Sequence, residues 1–278
     1  MKTVLITGAS SGIGRASLDR MHQSGWHVVA GVLPTEDVSA LQAQYSERLT
    51  ILPMDITDVE QIASGRQQIE AVVGDRGLDG LVNNAGIGIS APIELQPMAN
   101  IRQVMEVNYF GHVQVTQAML PLIRKSKGRI VNIASVLGLV GLPLMGAYAA
   151  SKFAIVGLSE TLRNELKPQG IHVAMIAPGY IQTPIWDVGL SDSRDMREEF
   201  PEQALKPYQS VVDAMENETD TTLGDASPPD VVATAVAHAL NAAYPKARYA
   251  VGHQSSLYAF LSRLPARLRD WLIDRNLY

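Results

Sequence analysis

Val4-Leu5-Ile6-Thr7-Gly8-Ala9-Ser10-Ser11-Gly12-Ile13-Gly14 decides how the rest of the chain is read. An apolar run passes into spaced glycines, and helical spacing follows through Ala16, Leu18 and Met21. That order predicts a buried strand, a tight turn and a helix start. Glycines at such a junction let the backbone turn sharply and approach a pyrophosphate, while the helix start offers unpaired N–H groups and a positive dipole end. Gly8, Gly12 and Gly14 are set as G-x-x-x-G-x-G, not G-x-G-x-x-G, so the general dinucleotide fingerprint fits loosely. Taken alone, the motif also suits a glycine-rich turn that holds no ligand.

Similar apolar, β-rich runs recur at Val4–Thr7, His27–Val32, Leu49–Pro53, Gly80–Asn83, Arg129–Ala134 and His172–Ile176, with helical spacing between most of them. Continuous apolar strands alternating with helices predict an α/β fold: a doubly wound parallel sheet of the Rossmann type, covered on both faces. At 278 residues, with no repeat or hinge-like linker, the chain reads as a single domain over residues 1–278. Hydrophobic residues at 46% and charged residues at 18% exclude a disordered chain. The absence of cysteine removes disulfides, thiolate metal sites and a cysteine nucleophile, and suits a reducing cytosol. A net charge of −5 argues against nucleic acid as a partner and for small molecules, with no metal expected. The first residues enter the apolar run without the pattern of a secretory signal, so a cytoplasmic protein is expected. The uncharged stretch Ile130–Ser151 is long enough to span a bilayer, but Asn132, Ser135, Pro143 and its glycines break it into strand, loop and helix start.

Three further segments carry chemistry: Asn83-Asn84-Ala85-Gly86 at a strand end, Asn108 within Val104–Leu122, and Tyr148-Ala149-Ala150-Ser151-Lys152 opening a helix. A tyrosine and a lysine four residues apart share a helix face. An ammonium close to a phenol favours the phenolate, which makes Tyr148 usable as an acid or base near neutral pH. With Thr7–Gly14, Asn83–Gly86, Asn108, Ser135 and the Tyr148/Lys152 pair in this order and spacing, the chain resembles the short-chain dehydrogenase/reductase family. The resemblance covers residues 2 to 185 and includes Pro178-Gly179 followed by Thr183 as the last cofactor-binding turn. The stretch Ala30-Gly31-Val32-Leu33 and the long C-terminal extension resemble the retinol and hydroxysteroid dehydrogenase branch.

The resemblance implies a catalytic set of Asn108, Ser135, Tyr148 and Lys152. Tyr148 is then the general acid in carbonyl reduction and the general base in alcohol oxidation. Lys152 stabilises the phenolate and binds ribose hydroxyls, Ser135 donates a hydrogen bond to the substrate oxygen, and Asn108 holds a water that connects Lys152 to solvent. It also implies a cofactor site of Gly8, Ser10, Ser11, Gly12, Ile13 and Gly14 in the loop, and Asp55 with Ile56 near the adenine. Asn83, Ala85 and Gly86 line the adenosine ribose, Tyr148 and Lys152 the nicotinamide ribose, and Pro178, Gly179, Ile181 and Thr183 the nicotinamide. Asn108 as a helix cap, Ser135 as a strand-end cap and Asp55 as a turn aspartate are the purely structural alternatives.

Gly31 stands where NAD-type members of the family carry an aspartate, and the basic residues expected for a 2′-phosphate are missing as well. NAD(H) is favoured over NADP(H), with Ser10, Ser11 and Arg15 the candidates to carry a phosphate instead. The expected substrate lining of Leu137, Met145, Tyr180 and Trp186 is apolar, and suits an apolar secondary alcohol or ketone. Residues 186–230 are acidic and read either as a solvated insertion or as a substrate-covering lid. Beyond them Ser227 reads as the cap of a helix starting near Asp230. The basic amphipathic stretch 256–278 reads as a helix packed on the body or a subunit interface in preference to a membrane surface. A homodimer or homotetramer is implied by the family. The competing functions are a dinucleotide-sensing protein without turnover and a membrane-surface reductase of lipid-like substrates; a sensor does not need the complete Asn108, Ser135, Tyr148 and Lys152 set.

Overall fold

The chain is described here by a computed structural model covering residues 1–45, 47–185, 193, 196–198 and 200–277. Seven parallel strands form one sheet: β1 (Thr3–Thr7), β2 (His27–Val32), β3 (Leu49–Pro53), β4 (Gly80–Asn83), β5 (Arg129–Ile133), β6 (His172–Pro178) and β7 (Arg248–Val251). Their spatial order is β3-β2-β1-β4-β5-β6-β7, with every pair parallel. The chain winds outward from β1 to β3, then returns to place β4 on the other side of β1. That reversal opens a crevice at the carboxyl ends of β1 and β4, where ligands bind in sheets of this kind.

Alternation along each strand divides the apolar residues between two cores. Val4 and Ile6 join Val28, Val131 and Ile176 on one face, under helices α1 (Gly12–Gln23) and, later in the chain, α9 (Asp230–Asn241), which bring Leu18, Met21, Val232 and Val236. Leu5 joins Val29, Leu81 and Ile130 on the other, under α3 (Val59–Val73), α5 (His112–Ser126) and α6 (Gly146–Leu166), with Ile62, Ile69, Met119 and Leu162. All of these strand residues are essentially inaccessible to water, which is why the strands read as unbroken apolar runs. Two short helices, α2 (Ser39–Gln44) and α4 (Met98–Met105), complete the set around the first five strands.

Beyond β6 come α7 (Glu202–Leu205), α8 (Gln209–Gly224) and α9, so the described part of 186–230 is largely helical. Val212 and Met215 of α8 are buried with Leu144. Ser227 does not cap α9: the cap position is Pro229, without a side-chain hydrogen bond. Ser227 is held by its backbone instead, donating to the Tyr180 carbonyl and accepting from Gln182, in a bridge beside Ile181. A ladder contact has taken the residue that local sequence assigns to the helix. Asp230 in the first turn pairs with Arg20 at 2.7 Å, on an exposed surface where such a pair adds little stability.

The C-terminal stretch forms α10 (Ser255–Leu261) and α11 (Ala266–Leu277). Tyr258, Leu261, Leu264, Leu272 and Ile273 pack with Val136 and Tyr180, so one side of both helices lies on the body. Leu257, Phe260, Leu268 and Trp271 stay exposed on the other.

Candidate active site

The glycine loop is built by close approach. Gly8 has a φ of +63°, and a Cβ there would stand 2.9 Å from the Cα of Ala85. Gly14 leaves no room either, since a Cβ would fall 1.9 Å from the Gly8 carbonyl oxygen. Only hydrogen at both positions lets α1 close onto the loop, with its N-terminus toward the crevice. The Thr7 hydroxyl accepts the N–H groups of Asn84 and Ala85 at 2.9 and 3.1 Å, and the Asn84 amide donates to the carbonyls of Thr7 and Gly8. The turns after β1 and β4 are thus locked to one another.

Between them opens a cleft of about 740 Å³. Asp55 and Ile56 beyond β3 line one end, Gly8, Ser10, Ser11, Gly12 and Ile13 beyond β1 with Ala85 and Gly86 beyond β4 the middle, and Ser135, Tyr148, Lys152, Pro178, Gly179, Ile181 and Thr183 the other. Ser135 follows β5 and Tyr148 lies in the first turn of α6, so a strand end and a helix start bring the two hydroxyls into hydrogen-bond contact. Lys152, one turn further, donates to the Ile133 carbonyl at 3.2 Å, and among the described residues no carboxylate pairs with it. Burial lowers its ammonium to about 8. Burial also pushes the Tyr148 phenol up to about 12, against the pull of the Ser135 hydrogen bond. The Lys152 nitrogen stands 5.5 Å from the ring centroid, and burial, which penalises the phenolate, is the larger influence on the phenol.

The helix before α5 contains a π-turn over Glu106–Gly111. It sets Asn108 inward, where the side chain clamps both backbone groups of Ile87 at 2.9 Å and donates to Ser151 at 3.0 Å. Ser151 in turn donates to the Tyr148 carbonyl at 2.7 Å. One turn on, His112 donates from Nε2 to the Ala85 carbonyl at 2.7 Å. Burial first, and the Lys152 charge second, lower that imidazole to about 3.

The short chain dehydrogenase family model matches residues 2–192. The chain belongs to that family. It is 37% identical to estradiol 17-beta-dehydrogenase 2 of Mus musculus, across 100% of this chain and 75% of the relative. Retinol dehydrogenase 16 of Homo sapiens is 35% identical, across 97% of this chain and 86% of that one. Among solved structures, a short chain dehydrogenase from Burkholderia cenocepacia in complex with NADP superposes with a TM-score of 0.72 at 26% identity, covering 100% of both chains. As a short-chain dehydrogenase close to the retinol and hydroxysteroid branch, the protein is an NAD(P)-dependent oxidoreductase that interconverts alcohols and ketones.

Within this dehydrogenase three expected site residues stand back from the cleft. Gly14 packs α1 on the loop. Asn83 is fully buried and donates to Thr116 and Asn132 at 2.9 Å, tying β4 to β5 and α5 without reaching the ribose wall. Asn108 holds backbone, as the structural alternative has it, with no wall of the cleft of its own. Arg15 turns away onto Asp19 and Gln44. Asp55 both lines the cleft and makes an aspartate turn, accepting from the backbone and hydroxyl of Thr57 at 2.8 Å. Leu137, Met145 and Tyr180 line the substrate end, while Trp186 lies outside the described residues.

Two side chains at the site escape sequence reasoning. Glu36, in the loop after β2, accepts from Ser10 at 2.9 Å and from the Leu33 N–H at 3.1 Å, and lines the cleft beside the glycine loop. Its position depends on how that loop folds back; the only signal for it in the sequence is an acid a few residues late. Arg197, beyond the apolar segments, lines a branch of the cleft that also touches Tyr148.

Proposed function

We propose that the protein is an NAD-preferring dehydrogenase acting on apolar secondary alcohols and their ketones, with Tyr148 as the acid and base. The observation that carries this reading is the convergence of Ser135, Tyr148 and Lys152 on the apolar end of a cleft that the glycine loop also lines.

The residues present fit a dinucleotide. A loop whose Gly8 and Gly14 would clash with an added Cβ leaves its backbone bare, and the helix behind it has no acidic residue in its first turn to compete for an anion. Glu36 supplies the acid that Gly31 lacks. A carboxylate beside Ser10 suits ribose hydroxyls and repels a 2′-phosphate, and Arg15 is already paired elsewhere. Bound NAD(P) supplies a hydride donor or acceptor at its nicotinamide.

In reduction, the Tyr148 hydroxyl gives its proton to the carbonyl oxygen. Ser135 donates a hydrogen bond to the same oxygen as negative charge develops there. The Lys152 ammonium faces the resulting phenolate, and Asn108 through Ser151 keeps the start of α6 in place. Oxidation runs the same proton in reverse. Val136, Leu137, Leu142 and Ile185 bring no charge to this end, which supports an apolar substrate. Met215 and Thr219 of α8 close the far wall of the adjoining branch, in keeping with a covering role for the inserted helices.

Parallel fluorescence titrations with NADH and NADPH test the preference. NADH should bind at least about 10-fold more tightly, and Glu36→Gln should shrink that ratio by removing the charge that opposes phosphate. Equal binding of both by the wild type would refute the assignment of Glu36.

A further inference from the structure

His112 opens α5, fully buried, and the proton transfer at Tyr148 makes no use of it. Its Nε2 stands 2.7 Å from the Ala85 carbonyl oxygen. A carbonyl only accepts, so this bond fixes the proton on Nε2 and leaves Nδ1 a bare acceptor. Among the described residues no donor meets Nδ1. A buried acceptor without a donor is destabilising, and an aliphatic side chain would avoid that cost. Val115, Met119, Leu122 and Ile123 fill other inward positions of the same helix with apolar groups. The imidazole therefore stands out for what it grips. Ala85 and Gly86 line the cleft, and a Cβ at Gly86 would stand 3.6 Å from the Lys152 Nζ, so this stretch of backbone lies against the catalytic ammonium. Side chains hold the stretch along its length. The Thr7 hydroxyl accepts the Ala85 N–H, His112 takes the Ala85 carbonyl, and Asn108 clamps both backbone groups of Ile87. Asn108 lies in the π-turn and His112 directly follows it, so one piece of helix presents both grips.

We propose that His112 is a positioning residue of the reaction: through the Ala85 carbonyl it fixes the Ala85–Gly86 backbone against Lys152, and so sets where the ammonium stands relative to Tyr148 and a bound nicotinamide ribose. The choice of side chain fits that task. A lysine or arginine could donate to the same carbonyl, but it would set a second positive charge near Lys152 in a buried place. A neutral imidazole supplies the donor without the charge, on a ring with few rotatable bonds. This inference rests on the alcohol–ketone reading of the Tyr148 site.

The whole chain as wild type, His112→Leu, His112→Asn and His112→Gln tests it, by thermal unfolding, NADH titration and turnover of an apolar secondary alcohol with NAD. Leucine fills the place without a donor, asparagine carries a donor too short for the carbonyl, and the glutamine amide reaches as far as Nε2. His112→Leu and His112→Asn should each lower kcat by about 10-fold or more, because a small displacement around the reacting centre is enough for that, and weaken NADH binding a few-fold. His112→Gln should recover most of both. A helix strap without a positioning role lowers the unfolding temperature and leaves kcat and NADH affinity alone; that result in His112→Leu, or in His112→Asn if the leucine variant does not fold, would overturn the proposal. So would a His112→Gln protein as stable as the wild type but as slow as His112→Asn, since the donor to Ala85 would then not be what matters. A wild type that binds NADH and turns over no such alcohol would overturn the inference together with the reading beneath it.

Discussion

Tyr148 does its work in a place that disfavours its charge. Burial holds the phenol near 12 and the neighbouring Lys152 near 8, so across neutral pH the pair is a neutral phenol facing an ammonium. That is the state required to donate a proton to a carbonyl. As pH rises through about 8 the ammonium is lost while the phenol remains protonated, and the developing phenolate loses its support. The value of kcat/KM for ketone reduction, which reports the free enzyme, should therefore fall above about pH 8. A rate still flat two units higher would contradict this ordering of the two groups. Tyr148, Ser135 and Lys152 could be read from the sequence because a strand end and one face of a helix fix their relation locally. Glu36 and Arg197 could not, because each reaches the cleft only through the fold of a loop or an inserted segment.

At the scale of elements, the contact between α1 and the glycine loop sets how near a dinucleotide can come to the backbone. Gly14→Ala puts a methyl 1.9 Å from the Gly8 oxygen, so α1 has to move outward. Such overpacking should cost about 1–3 kcal/mol in thermal or denaturant unfolding and weaken NADH binding. A comparison within α6 is available at Gly157, an exposed helical position where a Cβ meets nothing within 4 Å. Gly157→Ala should stabilise the protein by about 0.5–1 kcal/mol. The six strands read from apolar runs are found with bounds within two residues, since burial on both faces leaves no polar interruption to blur them. Shorter-range signals were less decisive. Ser227 has the right chemistry for a cap but spends its backbone in a bridge beside Ile181, and the π-turn at Glu106–Gly111 has no mark in the composition around Asn108.

Over the whole molecule, the sheet carries a separate apolar cluster on each face, and a titratable group at the start of α5 is sealed from water. His112 is held neutral in the fold, near 3 against 6.5 when exposed. Between those values the unfolded chain binds the extra proton, so stability is lost as pH falls from about 6.5 toward 3, by up to ~1.4 kcal/mol per unit. His112→Gln should flatten that part of the stability–pH curve. An unchanged slope would mean that other groups carry the acid sensitivity. The C-terminal helices extend the same body: their inner side packs on Tyr180 and Val136 next to the cleft, a placement the amphipathic pattern favoured over a membrane surface without separating it from a subunit contact.

The most direct test of the central claim is turnover of an apolar secondary alcohol with NAD by the wild type and Tyr148→Phe, with NADH binding measured on both. Removing one hydroxyl should lower kcat by about 10²–10⁴-fold or abolish it, and leave nucleotide affinity within a few-fold. Retention of turnover by Tyr148→Phe would contradict the assignment of Tyr148 as the group that moves the proton.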